Sequence, residues 1–103
     1  MIKLISTFAL KSEYDPEETY QLWIREHVPY VKKMLLPELQ GYVIGRVRRS
    51  VTGGEFYGAV QLSFKTLEDA VRASNRLFSN PPDEFTRRVT NFRRVIIEEK
   101  DMM

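Results

Sequence analysis

The sequence has no cysteine, one histidine and one tryptophan in 103 residues. Without cysteine there is no disulfide scaffold, no thiolate zinc site and no thiol nucleophile. Such a chain fits a reducing compartment, and the cytoplasm is the expected location. Long hydrophobic runs are also missing: the longest stretch free of charge is nine residues, 56–64, where a membrane helix needs about 20. No charged segment followed by a long apolar stretch opens the chain, so neither a signal peptide nor a membrane partner is expected. An excess of one charge is lacking too. Sixteen basic and fourteen acidic residues leave a net charge of +2, too little to make nucleic acid the expected partner.

What is present is an ordinary globular composition, 43% hydrophobic and 29% charged, of a length that holds one domain spanning residues 1–103. Residues 1–10 alternate with period two. Ile2, Leu4, Ser6 and Phe8 share one face, and Lys3, Ile5, Thr7 and Ala9 the other, which predicts a strand. Asp15 then starts a helix as N-cap, with Pro16 at the first helical position and Glu18 completing a capping box. Tyr20, Trp23, Ile24, Val28, Val31, Met34 and Leu35 follow at helical spacing. Pro29 lies inside this run, lacks a backbone donor and clashes with the Arg25 carbonyl, predicting a kink or break near residues 26–28. Residues 40–49 and 55–64 read as strands joined by a hairpin at Val51-Thr52-Gly53-Gly54. Residues 65–78 read as a second amphipathic helix capped by Thr66, with Leu67, Ala70, Val71, Ser74, Leu77 and Phe78 as its buried stripe. A short helical turn over 83–89 and a last strand over 91–99 complete the order βαββαβ.

That order implies an α+β fold, the ferredoxin-like plait: a four-stranded antiparallel sheet with both helices on one face. The second face of the sheet is unusually apolar for a solvated one, with Tyr57 and Ala59, Val95 and Ile97, and Val43 and Val47 assigned to it. A second copy of the chain is the expected cover, giving a homodimeric α+β barrel with an interior cavity. The alternative is that these residues reflect β-propensity alone.

His27 falls four residues after Trp23 and four before Val31, on the apolar stripe. It reads either as a core histidine with satisfied ring nitrogens or as an acid–base group, since an imidazole ordinarily titrates near neutral pH. Tyr42 and Tyr57 are phenols on adjacent strands, suited to donate to a ligand oxygen or to pack at a dimer seam. Trp23 reads as a stacking surface for an aromatic ligand or as an anchor under the second helix. Arg46 shares a strand face with Tyr42 and Ile44 and could hold a carboxylate or enolate, or belong with Arg48 and Arg49 to a solvated hairpin end. Adjacent carboxylates at Asp83-Glu84 and Glu98-Glu99 point to opposite faces and make poor acid/base pairs. No carboxylate cluster suits a metal, and Gly53-Gly54 lacks phosphate-loop spacing.

The segment Trp23-Ile24-Arg25-Glu26-His27-Val28-Pro29-Tyr30-Val31 resembles the W-x-x-x-H-x-P-x-V signature of EthD-like proteins in the dimeric α+β barrel superfamily. Gly41-Tyr42-Val43, the stretch from Gly58 through Phe64 with Leu67-Glu68-Asp69-Ala70, and the late Asp83 and Phe85 also resemble that family. The resemblance implies a homodimer with small organic ligands bound between sheet and helices. It implies His27 as the acid–base group, in the manner of the superfamily's isomerases and cyclases. Haem would need a second feature beside His27, and none stands there, so no cofactor is expected. The leading expectation is a cofactor-independent barrel that binds a hydrophobic, aromatic or polyketide-like molecule and catalyses isomerisation or cyclisation. A non-catalytic ligand-binding or stress-related dimer is the alternative, and whether the protein is an enzyme stays open. An RNA-binding plait ranks lower. Tyr57-Gly58-Ala59-Val60-Gln61-Leu62 partly matches its third-strand motif, but Ala59 and Leu62 replace the aromatics, and Phe56 and Glu55 replace a glycine and a basic residue.

Overall fold

The computed structural model describes residues 1–103. The alternating segment becomes β1 (Ile2–Leu10), an inner strand of a four-stranded antiparallel sheet ordered β2-β3-β1-β4. The others are β2 (Gly41–Arg46), β3 (Gly58–Phe64) and β4 (Val89–Glu98). Helices α1 (Pro16–Leu22), α2 (Val28–Leu35), α3 (Leu67–Ser79) and α4 (Glu84–Arg88) complete the ferredoxin-like plait. The hairpin between β2 and β3 is looser than expected. β2 ends early, β3 begins late and residues 47–57 form a loop, in which Gly53 and Gly54 take the positive φ values, 93° and 92°, that side chains disfavour.

Local capping explains where the helices begin. Glu18 N–H donates to Asp15 Oδ2 at 2.8 Å, but the Glu18 carboxylate reaches Arg88 instead of closing the capping box. Asp69 N–H donates to Thr66 Oγ1 at 3.1 Å. Pro29 does not break the first helical run. Between α1 and α2 lies one π-helical turn, Trp23–His27, in which Val28 N–H donates to the Trp23 carbonyl. The wider turn absorbs the irregularity that proline imposes, and π-turns of this kind concentrate at functional sites. In α3 the stripe differs from its expected position. Ala70 and Ala73 are buried, while Leu67, Val71 and Phe78 are exposed, because small side chains let the helix sit close to the sheet.

Cross-strand register places Tyr42, Leu62, Leu4 and Ile96 in one row on the helix side, and Ile44, Val60, Ser6 and Arg94 in the next. One irregularity keeps β4 in phase with the core. Between the pairs Thr7–Arg93 and Ala9–Thr90, β4 has one residue more than β1, and Asn91 takes φ 56°. This bulge lets both Phe92 and Val89 pack on the helix side despite their odd spacing. The opposite face carries Val43, Gln61, Ile5 and Val95 in its central row, with Val43 and Val95 more than half exposed. Tyr57, expected on that face, is instead 7% exposed within the helix-side core, where its hydroxyl donates to the Pro16 carbonyl at 2.6 Å. It precedes β3, outside the strict alternation, and the aromatic cluster of Phe8, Trp23 and Phe85 draws it inward.

Candidate functional site

The inner face of β1 reads Leu4, Ser6, Phe8. The small Ser6 between two large residues leaves space above the middle of the sheet, and a cavity of about 290 Å³ occupies it. Ser6, Tyr42, Val60 and Arg94 line its floor, and its walls come from His27 and Tyr30, from Leu77 and Phe78 of α3, and from Phe85 and Thr86 of α4. The cavity therefore lies between sheet and helices within one chain, not between the sheets of two. This is the place, between sheet and helices, where the resemblance implies that small organic ligands bind.

His27 ends the π-turn, half-buried, with its ring 4.7 Å from that of Phe85. Its Nδ1 lies 2.6 Å from Asp83 Oδ2. Asp83 is the N-cap of α4, and its other oxygen accepts from the Thr86 N–H at 2.9 Å and the Thr86 hydroxyl at 2.6 Å. Burial works to raise the Asp83 carboxyl, but the hydrogen bonds from His27 and Thr86 outweigh it and hold the group down at about 2. An ionised carboxylate only accepts, so Nδ1 donates to Asp83, and a neutral imidazole in this place has Nε2 as its free ring nitrogen. The Tyr42 phenol lines the same cavity, and burial, reinforced by the Asp83 charge, pushes its ionisation well above the ordinary range. It therefore stays protonated, able to donate.

Of the residues singled out in the sequence, His27 and Tyr42 meet at this cavity. Trp23, Tyr57 and Arg46 do not line it. Trp23 is fully buried and stacks on Phe85 with ring centres 5.1 Å apart, a scaffold beneath His27's neighbour. Tyr57 gives its hydroxyl to Pro16 as described, and burial pushes its phenol up to about 12. Arg46 points to the helical run, pairing with Glu17 at 2.6 Å and lying 4.2 Å above the Tyr20 ring. Two polar groups escaped the sequence reading as site residues. Asp83 carries an N-cap signal, but nothing local marks its pairing with a histidine 56 positions away. Arg94 sits at an inward position of β4 that the bulge at Asn91 helps to set.

No family model matches the sequence, and no curated protein matches it. Solved structures do. An EthD family protein from Bacillus halodurans C-125 aligns over 97% of this chain and 99% of its own, with TM-score 0.67 and 18% identity. The chain shares that protein's fold. The same fold occurs in a dimeric protein of unknown function from Bacteroides fragilis NCTC 9343, described as ferredoxin-like (TM-score 0.60, 16% identity, 95% of both chains). It is shared again with SnoaB, a cofactor-independent oxygenase from Streptomyces nogalater (TM-score 0.60, 11% identity, 99% of this chain and 95% of that one).

Proposed function

We propose that this chain binds a small, largely apolar organic molecule, aromatic or polyketide-like, between sheet and helices, and that His27 exchanges a proton with it without a cofactor. The observation that carries the reading is the 2.6 Å pairing of His27 Nδ1 with Asp83 beside a mainly apolar cavity. A carboxylate behind an imidazole fixes its tautomer and stabilises the imidazolium formed when Nε2 accepts a proton. Removing a proton from carbon next to a carbonyl leaves negative charge on the carbonyl oxygen. The Tyr42 hydroxyl, held protonated in the same cavity, donates to that oxygen. Returning the proton to another atom completes an isomerisation, and attack by the carbanion on a second carbonyl closes a ring. The oxygenase SnoaB, described as cofactor-independent, supports cofactor-free chemistry in this fold.

The proposal includes a homodimer formed through the open sheet face. Its support is the apolar centre of that face and the dimeric state described for the Bacteroides fragilis neighbour. Trp23, Tyr57 and Arg46 then serve as the frame of the site.

The test is hydrogen–deuterium exchange at carbon. A panel of aryl ketones and polyketide-like diketones is incubated with protein in D2O and followed by NMR. Exchange faster than in buffer is expected with the wild type, falling about 100-fold or more in His27→Ala. Equal exchange by wild type and His27→Ala, with ligand still bound, would replace catalysis by simple binding.

A further inference from the structure

The geometry points to Arg94 as an anchor for a carboxylate, so that the molecule taken by this cavity is an organic acid with an apolar body. The inference deepens the ligand reading above and rests on it.

Arg94 is the only lysine or arginine lining the cavity. Its position opposite Ser6 in the β1–β4 register directs it to the helix side of the sheet. There the guanidinium carbon lies 4.5 Å from the centre of the Phe92 ring and 4.6 Å from that of Phe78. Two aromatic faces thus hold the cation in place without occupying its five N–H donors. Seven other basic side chains have an acidic partner within 4 Å: Lys3, His27, Arg46, Arg72, Arg76, Arg87 and Arg88. Arg94 has none. No acidic residue lines the cavity, and Asp83, behind His27, is already committed to His27 and Thr86.

A guanidinium keeps its charge under all ordinary conditions, so partial burial is unfavourable unless an anion arrives. Burial alone lowers the ionisation of Arg94, with no carboxylate acting against it. The planar fork matches a carboxylate with two parallel hydrogen bonds. One fixed positive charge among mostly apolar walls suits a singly charged anion better than a phosphate dianion. Phe78 is 67% exposed, so Arg94 stands toward the outer end of the cavity. An acid bound there keeps its carboxylate near the mouth and extends its apolar body inward.

Isothermal titration with 2-naphthoate and its neutral isostere 2-naphthamide tests the inference on the intact wild-type chain, Arg94→Met and Arg94→Lys. Wild type is expected to bind the acid ten- to a hundred-fold more tightly than the amide, the range for charge-assisted hydrogen bonds. Arg94→Met is expected to erase the preference, weakening the acid at least about ten-fold more than the amide. Arg94→Lys, which keeps the charge but loses the fork, is expected to retain a smaller preference, and it carries the test if Arg94→Met does not fold. Equal affinity of wild type for both compounds, or a preference that survives in Arg94→Met, overturns the carboxylate anchor and leaves the cavity reading standing. Failure of wild type to bind either compound overturns both.

Discussion

His27 and Asp83 are 56 residues apart in the chain and 2.6 Å apart in space. One ends the π-turn that Pro29 enforces, and the other caps the helix that follows the Pro81-Pro82 pair. Two proline-directed irregularities thus converge on one hydrogen bond. That bond orients an imidazole and ties the first helical run to α4.

The pair makes stability depend on acid. The Asp83 carboxyl is lowered from 3.8 in its ordinary state to about 2 in the fold. A lowered folded value means its stabilising share is complete above pH ~4 and is lost as pH falls through about 2. Asp83→Asn keeps an oxygen to cap α4 and removes the charge. Urea titrations should therefore find it less stable than wild type by about 1 kcal/mol near neutrality, after discounting for solvent access. The gap should shrink as pH falls from about 4 and close below pH 2. A constant gap across that range would assign the loss to the cap instead.

Tyr42 separates stability from ligand binding. Its phenol is mostly buried, and no hydrogen bond accompanies the burial that raises its ionisation. Tyr42→Phe removes a hydroxyl that makes no hydrogen bond within the fold and faces the cavity, so stability to thermal unfolding should stay within about 1 kcal/mol of wild type. The same variant should bind the aryl ketones of the exchange assay several-fold more weakly. Loss of stability with unchanged affinity would make Tyr42 a packing residue.

A Cβ added at Gly58 would stand 2.6 Å from Trp23 Cη2 and 2.7 Å from Phe8 Cε2. Both rings are buried and in edge contact with each other, leaving neither free to yield. Gly58→Ala should cost about 3 kcal/mol through overpacking, which lowers Tm by on the order of 10–20 °C in a domain of this size. Calorimetry checks it. A drop under a few degrees would mean that the aromatic cluster can shift, and His27, which touches Phe85 in that cluster, would share its mobility.

The plait was legible because it rests on local signals. The alternation of β1, the Asp15 and Thr66 caps and the glycine pair at 53–54 each act within a few residues, and each appears in the structure. Pro29 likewise announced an irregularity, though not its form: a π-turn costs one shifted hydrogen bond where a break would lose several. The site was less legible for a consistent reason. Arg46 and Arg94 are both inward-facing arginines by strand parity, yet Arg46 finds Glu17 and Tyr20 on the helix above it. Arg94 finds no acid, and Asn91's bulge sets the phase of its strand. Which arginine stays free depends on tertiary neighbours that no spacing rule supplies. Tyr57 departs from the open face because strand alternation does not extend in front of β3.

The open face of the sheet gives the last prediction. Its central row runs Val43, Gln61, Ile5, Val95, with Val43 61% and Val95 56% exposed. The flanking rows add Ala59 and Ile97 to this apolar surface and Lys3, Ser63, Thr7 and Arg93 as polar groups among them, a mixture that suits an interface between two copies. Because Val95 contributes little to its own chain's core, Val95→Lys should leave Tm within a few degrees of wild type. Across a two-fold contact, however, it would bring added positive charge toward a face that already holds Lys3 and Arg93. Light scattering over a dilution series should then find the wild type dimeric at low micromolar concentration and Val95→Lys monomeric. Since the cavity lies wholly within one chain, the monomeric variant should still bind ligand, with affinity changed only as far as the second copy steadies the sheet beneath it. A wild type that is monomeric at every concentration would remove the barrel but not the cavity, and a Val95→Lys variant that stays dimeric would move the contact to another surface.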